Sequence, residues 1–142
     1  MFIFTNPNPD KKIVEDCVIR GIAIVMDLTW DEVYDELCYQ GRKMHDLPSS
    51  NEVWDQYLIE NGFNRYSIPN TCPRCYSVKQ FCRDNSIGEY LLATGSHVIA
   101  VLDGDYYDIW DSGNEVPIYY YKLKKGLDKN DLTDSTSEFK QY

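Results

Sequence analysis

The spacing of apolar positions along this chain of 142 residues changes once, near Gly88. Before it they recur every three or four residues, the helical period; after it they gather in short blocks of strand length. Asp16 to Met26 (DCVIRGIAIVM) is apolar enough for a central helix, with Asp16 as its N-cap and an end near Asp27. Thr29-Trp30-Asp31-Glu32 reads as a capping box. It opens a second helix from Trp30 to Gln40, with Trp30, Val33, Tyr34, Leu37 and Cys38 on one stripe and Gly41 as the stop. Ser49-Ser50-Asn51-Glu52 opens a third through Val53, Trp54, Tyr57 and Leu58, ending at Asn61-Gly62. Ser77-Val78-Lys79-Gln80 starts a short fourth that reaches Asn85. Two strands interrupt this half: an edge strand at Phe2-Ile3-Phe4, and Phe63 to Ile68, closed by Pro69.

Beyond Gly88 four strands follow, over Glu89–Thr94, Ser96–Leu102, Tyr106–Trp110 and Val116–Leu123. Asp103-Gly104-Asp105 is a hairpin turn between the second and third of these. Helices followed by strands predict an α+β domain over residues 1–124, its N-terminal helices packed on a C-terminal antiparallel sheet. Residues 125–142 are polar and weakly patterned, and are expected to form a loosely attached tail. There is no internal repeat.

Charge narrows the partners. A net charge of −9 leaves no Lys/Arg cluster for a phosphate backbone and no attraction to an anionic membrane. No run approaches the ~20 apolar residues of a membrane span. The opening MFIFTNPNPDKK lacks the basic and apolar regions of a secretory leader. Five cysteines, an odd number, then point to a reducing cytoplasm rather than a disulfide framework.

One of those cysteines has a chemically telling place. Cys17 falls in the first turn of the central helix, where free N–H groups and the helix dipole favour the thiolate. Arg20, one turn on, adds positive charge, and Gly21 lets another element pack close. A thiol nucleophile needs a base and a group to orient that base. Of the two histidines, His45 sits in a loop after the second helix, whereas His97 opens an apolar strand. If the hairpin loop holds the three residues Asp-Gly-Asp, Leu102 faces Tyr106 and His97 faces Asp111, with Asp108 on the other side. A two-residue turn would instead set His97 against Trp110 or Ser112. A carboxylate at Asp111 would hold the imidazole tautomer and stabilise the imidazolium.

A cysteine opening the first long helix, a histidine opening a later strand and an acid on the next strand follow the chain order of papain-like cysteine peptidases. DCVIRGIAIVMDLTWDEVYDEL followed by HVIAVLDGDYYDIWDSG resembles small phage and bacterial papain-like proteins, and a reduced form of the double-glycine peptidases that trim bacteriocin leaders. The resemblance spans roughly residues 13–122. It implies a papain-like fold in which Cys17 is the nucleophile, His97 the general base and acid, and Asp111 the orienter. It also implies cleavage of an amide or isopeptide bond in a peptide or protein through a thioester, without a cofactor. The chain departs from that pattern in one respect: no glutamine precedes the cysteine as an oxyanion donor, leaving the Cys17 N–H and a second donor such as Asn8 or Lys11. Losing such a donor costs ~10²–10³ in rate. A weakly active or inactive papain-like binder, for instance a phage factor acting on a host protein, is therefore the alternative. A third reading is a zinc-stabilised interaction module, because Cys72-Pro73-Arg74-Cys75 with Cys82 begins a zinc knuckle but lacks a fourth ligand.

Overall fold

The computed structural model describes residues 1–124; the expected tail, 125–142, lies outside the described residues. Among the described residues four helices and six strands follow in the order β1 (Phe2–Phe4), α1 (Cys17–Met26), α2 (Trp30–Met44), α3 (Asn51–Glu60), β2 (Phe63–Ser67), α4 (Val78–Asp84), β3 (Glu89–Ala93), β4 (Val98–Leu102), β5 (Asp105–Asp108) and β6 (Tyr119–Leu123). The class is α+β, as the change of period predicts. The strands form one sheet in the order β1-β5-β4-β3-β6-β2. The expected antiparallel C-terminal sheet is corrected in two ways. Both edge strands come from the N-terminal half of the chain, and β1 runs parallel to β5, so the sheet is mixed.

The central strands are buried on both faces, which is why they read as unbroken apolar blocks rather than alternating ones. Leu91, Ala93, Val98, Ala100 and Tyr121 meet Ile22, Val33, Leu37, Trp54 and Leu58 from α1–α3. Tyr90, Leu92, Ile99, Val101 and Tyr106 meet Val78 and Phe81 of α4 on the other side. Gly21 marks the closest approach of α1 to the sheet: a Cβ there would lie 2.7 Å from Leu91 Cδ1 and 3.1 Å from Val98 Cγ1. Gly21→Val is accordingly expected to cost about 1–3 kcal/mol through overpacking. Urea unfolding measures it, and an unchanged midpoint would mean that helix and sheet do not press together at this point.

Local signals mostly hold. Thr29 and Glu32 close a reciprocal capping box, with N···O distances of 3.0 and 3.2 Å, and Ser77 and Gln80 close another. Three expectations change. Gly41 lies inside α2, not beyond it, because the following loop folds back until Asp46 O would stand 2.8 Å from a Cβ. The helix runs on to Met44 and ends on His45, whose left-handed backbone (φ 54°) lets its N–H reach Arg42 O. Ser50 occupies the N-cap of α3, but its hydroxyl donates to Glu52 instead of capping a backbone N–H.

The hairpin between β4 and β5 decides the geometry of the site. Asp103 (φ 48°) and Gly104 (φ 82°) are both left-handed, the signature of a two-residue type I′ turn, for which Asp-Gly is a preferred pair. Leu102 therefore pairs with Asp105, Val101 with Tyr106 and Ala100 with Tyr107. This is one residue out of step with the three-residue loop that placed His97 opposite Asp111.

Candidate active site

Cys17 is the first residue of α1, and His97 immediately precedes β4, the strand that α1 packs against. The two side chains face the same cleft, and each shifts the other's titration. His97 Nε2 lies 2.6 Å from Asp108 Oδ2. Extending the β4–β5 register sets His97 against Trp110, and the two rings lie with centroids 5.2 Å apart. Asp108, two residues earlier on the partner strand, is then the diagonal neighbour of His97 on the same side. Asp111 is not the carboxylate that meets His97. It is exposed, and it accepts hydrogen bonds from the Tyr106 hydroxyl (2.5 Å) and the Gly113 N–H (3.1 Å). The one-residue shift in register exchanged the two aspartates.

Asp108 is 3% exposed, and four groups converge on it. Besides His97, the Ser112 hydroxyl donates to Oδ2 (2.7 Å), the Ile109 N–H to Oδ1 (2.8 Å), and Arg20 Nη2 stands 3.4 Å from Oδ1. Burial pushes this carboxyl up, but the His97 and Ser112 hydrogen bonds outweigh that and hold it below the ordinary aspartate range. Burial likewise works against charge on His97; its bonds to Asp108 and Cys17 prevail and raise the imidazole to about 9. The Cys17 thiol is raised by burial, then lowered further by the His97 hydrogen bond, a Val98 backbone hydrogen bond and the charges of His97 and Arg20. It ends below the ordinary thiol value. At neutral pH the arrangement thus favours a thiolate beside an imidazolium that is held by a carboxylate.

Behind this row lies a second one that the helical pattern does not disclose. Asp16 stands at the N-cap of α1 but makes no capping side-chain bond. Its carboxylate is turned to the Arg20 guanidinium and to Trp30 Nε1, the latter at 2.9 Å. Arg20, 5% exposed, therefore joins Asp16 at the start of α1 to Asp108 at the end of β5. The i, i+4 spacing of Asp16 and Arg20 could have indicated their pairing; nothing in the sequence marked Asp108 as the other partner.

Cys17, Val18, Ser96 and His97 lie where two clefts meet. The larger, about 780 Å³, is walled by Tyr34, Leu37, Cys38, Ile109 and Trp110. The smaller, about 420 Å³, is more polar, with Asn51, Asp55, Arg65 and Thr94. Neither Asn8 nor Lys11 lines either cleft. Asn8 Oδ1 accepts from the Asp10 and Lys12 N–H groups, and Lys11 Nζ donates to Asn6 O, so both serve to shape the loop before α1. Among the described residues no three potential metal ligands of the His/Cys/Asp/Glu type come together. Cys82 is buried beside Phe81 in the α4 core, where burial pushes its thiol up to about 11, while Cys72 and Cys75 are exposed. The three-cysteine knuckle is therefore not formed within one chain.

Comparison with family models, with curated proteins and with solved structures finds no match for this chain.

Proposed function

We propose that this protein is a thiol hydrolase of papain-like design that cleaves an amide or isopeptide bond in a peptide or protein. The observation that carries the reading is the row Cys17–His97–Asp108: a thiol at a helix start, an imidazole on the same cleft wall, and a buried carboxylate 2.6 Å from the ring's Nε2. In this reading Cys17 sulfur attacks the scissile carbonyl. His97 gives its proton to the leaving amine, and the thioester is then hydrolysed by water that His97 deprotonates. Asp108 keeps the ring in place and stabilises its charged form. The junction of two clefts at Cys17 suits an extended chain with the reacting bond across the sulfur. Because Asp16 does not cap α1, the first-turn N–H groups remain as donors for the oxyanion.

The substrate-free test is the pH profile of alkylation by iodoacetamide. Cys17 is expected to react before Cys38, Cys72 and Cys75 at pH 7. Its rate should rise with pH through a midpoint below the ordinary 9.0. His97→Ala should return that midpoint to the ordinary range. Labelling spread evenly over these cysteines, or a Cys17 midpoint near 9, defeats the reading.

The loop duties of Asn8 and Lys11 favour one second reading, a protein that keeps the scaffold and binds without turnover. Cys17→Ala separates the two: a hydrolase loses its function, and a binder retains it.

A further inference from the structure

The two clefts that meet at Cys17 differ in chemistry. The larger, at about 780 Å³, falls within the ~300–1,000 Å³ of ordinary ligand sites. Its walls carry Val14, Val18, Tyr34, Leu37, Ile109 and Trp110. Tyr34 and Trp110 are 48% and 44% exposed, so two aromatic side chains open to solvent share one concave apolar surface. Exposed apolar surface gathered in this way marks a place where something binds. The cations of this cleft are already matched: Arg20 is buried against Asp16 and Asp108, and His97 meets Asp108. Glu15, in the same wall, is an exposed carboxylate. The smaller cleft is instead charged, with Glu52, Asp55 and Arg65, the last lying 4.1 Å over the Tyr119 ring and 3.4 Å from Asp55 Oδ1.

Trp110 joins the apolar wall to the reacting groups. Its ring centroid lies 5.2 Å from that of His97, with the planes inclined at 34°. The segment that presents it is tied down on both sides. The Ile109 N–H and the Ser112 hydroxyl bond to Asp108, and the Gly113 N–H and the Tyr106 hydroxyl bond to Asp111. The carboxylate that meets His97 thus also fixes the start of the segment carrying Trp110, and Asp111 secures its end. A ring mounted in this way loses little freedom when a partner packs on it, so its contact area is available for selection.

We propose that Trp110 is a specificity-determining residue, and that the substrate carries a bulky apolar side chain, aromatic or leucine-like, beside the scissile bond. This rests on the hydrolase reading and names the substrate class for it. The side chain fills the larger cleft against Trp110 and Tyr34, while the peptide continues past Cys17 into the smaller, charged cleft. An acidic side chain is disfavoured in the larger cleft, because Glu15 repels it and Arg20 is already held between two carboxylates.

The test is alkylation of Cys17 in the full chain by iodoacetamide, N-benzyl-iodoacetamide and N-(2-carboxyethyl)-iodoacetamide, read by mass spectrometry. Each rate is divided by that of 2-mercaptoethanol with the same probe, which removes intrinsic reactivity. Against iodoacetamide, the benzyl arm is expected to speed Cys17 about 10-fold, the scale of burying part of such a ring, and the carboxylate arm to give no gain. Trp110→Ala should abolish the benzyl advantage and Trp110→Phe should keep most of it; the side chain is 44% exposed, so its truncation leaves the core intact. Tyr66→Ala, which removes an exposed aromatic outside both clefts, should leave the advantage unchanged. Equal relative rates for the benzyl and plain probes, a preference for the carboxylate arm, or a benzyl advantage that survives Trp110→Ala overturns the proposal. The hydrolase reading is decided separately, by the pH profile of the plain probe.

Discussion

Asp108→Asn is expected to lower amide hydrolysis about 10⁴-fold, the scale seen when the orienting acid of such a row becomes an amide. Asp111→Asn is expected to stay within a few-fold of wild type. The contrast follows from contacts. Asp108 receives His97 Nε2 at 2.6 Å and is nearly sealed from water, while Asp111 is exposed and holds the Tyr106 hydroxyl. An asparagine at 108 could present its NH₂ to the ring nitrogen and favour the wrong tautomer, and it removes the charge that balances an imidazolium. The same difference is readable without a substrate. In Asp108→Asn the iodoacetamide rate at Cys17 should fall at neutral pH and its midpoint should move up, whereas Asp111→Asn leaves the profile in place. Equal effects at the two aspartates would remove Asp108 from the role proposed for it.

Arg20→Leu is expected to destabilise the fold by ~3–5 kcal/mol, because it strands two buried carboxylates without their shared cation. Asp16 and Asp108 are 5% and 3% exposed, so water cannot take the guanidinium's place. Arg20→Lys should recover part of the loss only, since one ammonium does not span both partners as a guanidinium does. Adding Asp16→Asn to Arg20→Leu should restore some stability, a coupling between neighbours that separate, independent sites would not show. Urea unfolding of the three variants measures these differences. A loss below about 1 kcal/mol for Arg20→Leu would mean that the buried charges are not held together through Arg20.

Much of this was legible one residue at a time. The helices around Val33 and Trp54, the capping box at Thr29 and the helix start at Ser77 depend on contacts within a few residues, and the structure reproduces them. The apolar blocks of β3 and β4 announced strands; that both their faces are buried came with the structure. Cys17 at a helix start and His97 before a strand were visible for the same local reason. The parallel placement of β1 beside β5 was not, because the pairing of residues about 100 positions apart leaves no mark on either segment.

The exchange of Asp111 for Asp108 shows where local reasoning ends. Asp103-Gly104 is itself a two-residue turn signal, but counting Asp105 into the loop was equally consistent with the letters. Strand side chains alternate between faces, so a slip of one residue sends every candidate to the opposite side. Only the assembled sheet, with Arg20 arriving from α1 and Ser112 from the following loop, determines which carboxylate is buried against the imidazole. By itself the chain determined the helices, the strand-forming blocks and the two residues whose chemistry is expressed at the ends of those elements. The third member and the charged groups behind it were decided by tertiary structure, because they act across segments that meet only when the sheet has closed on α1.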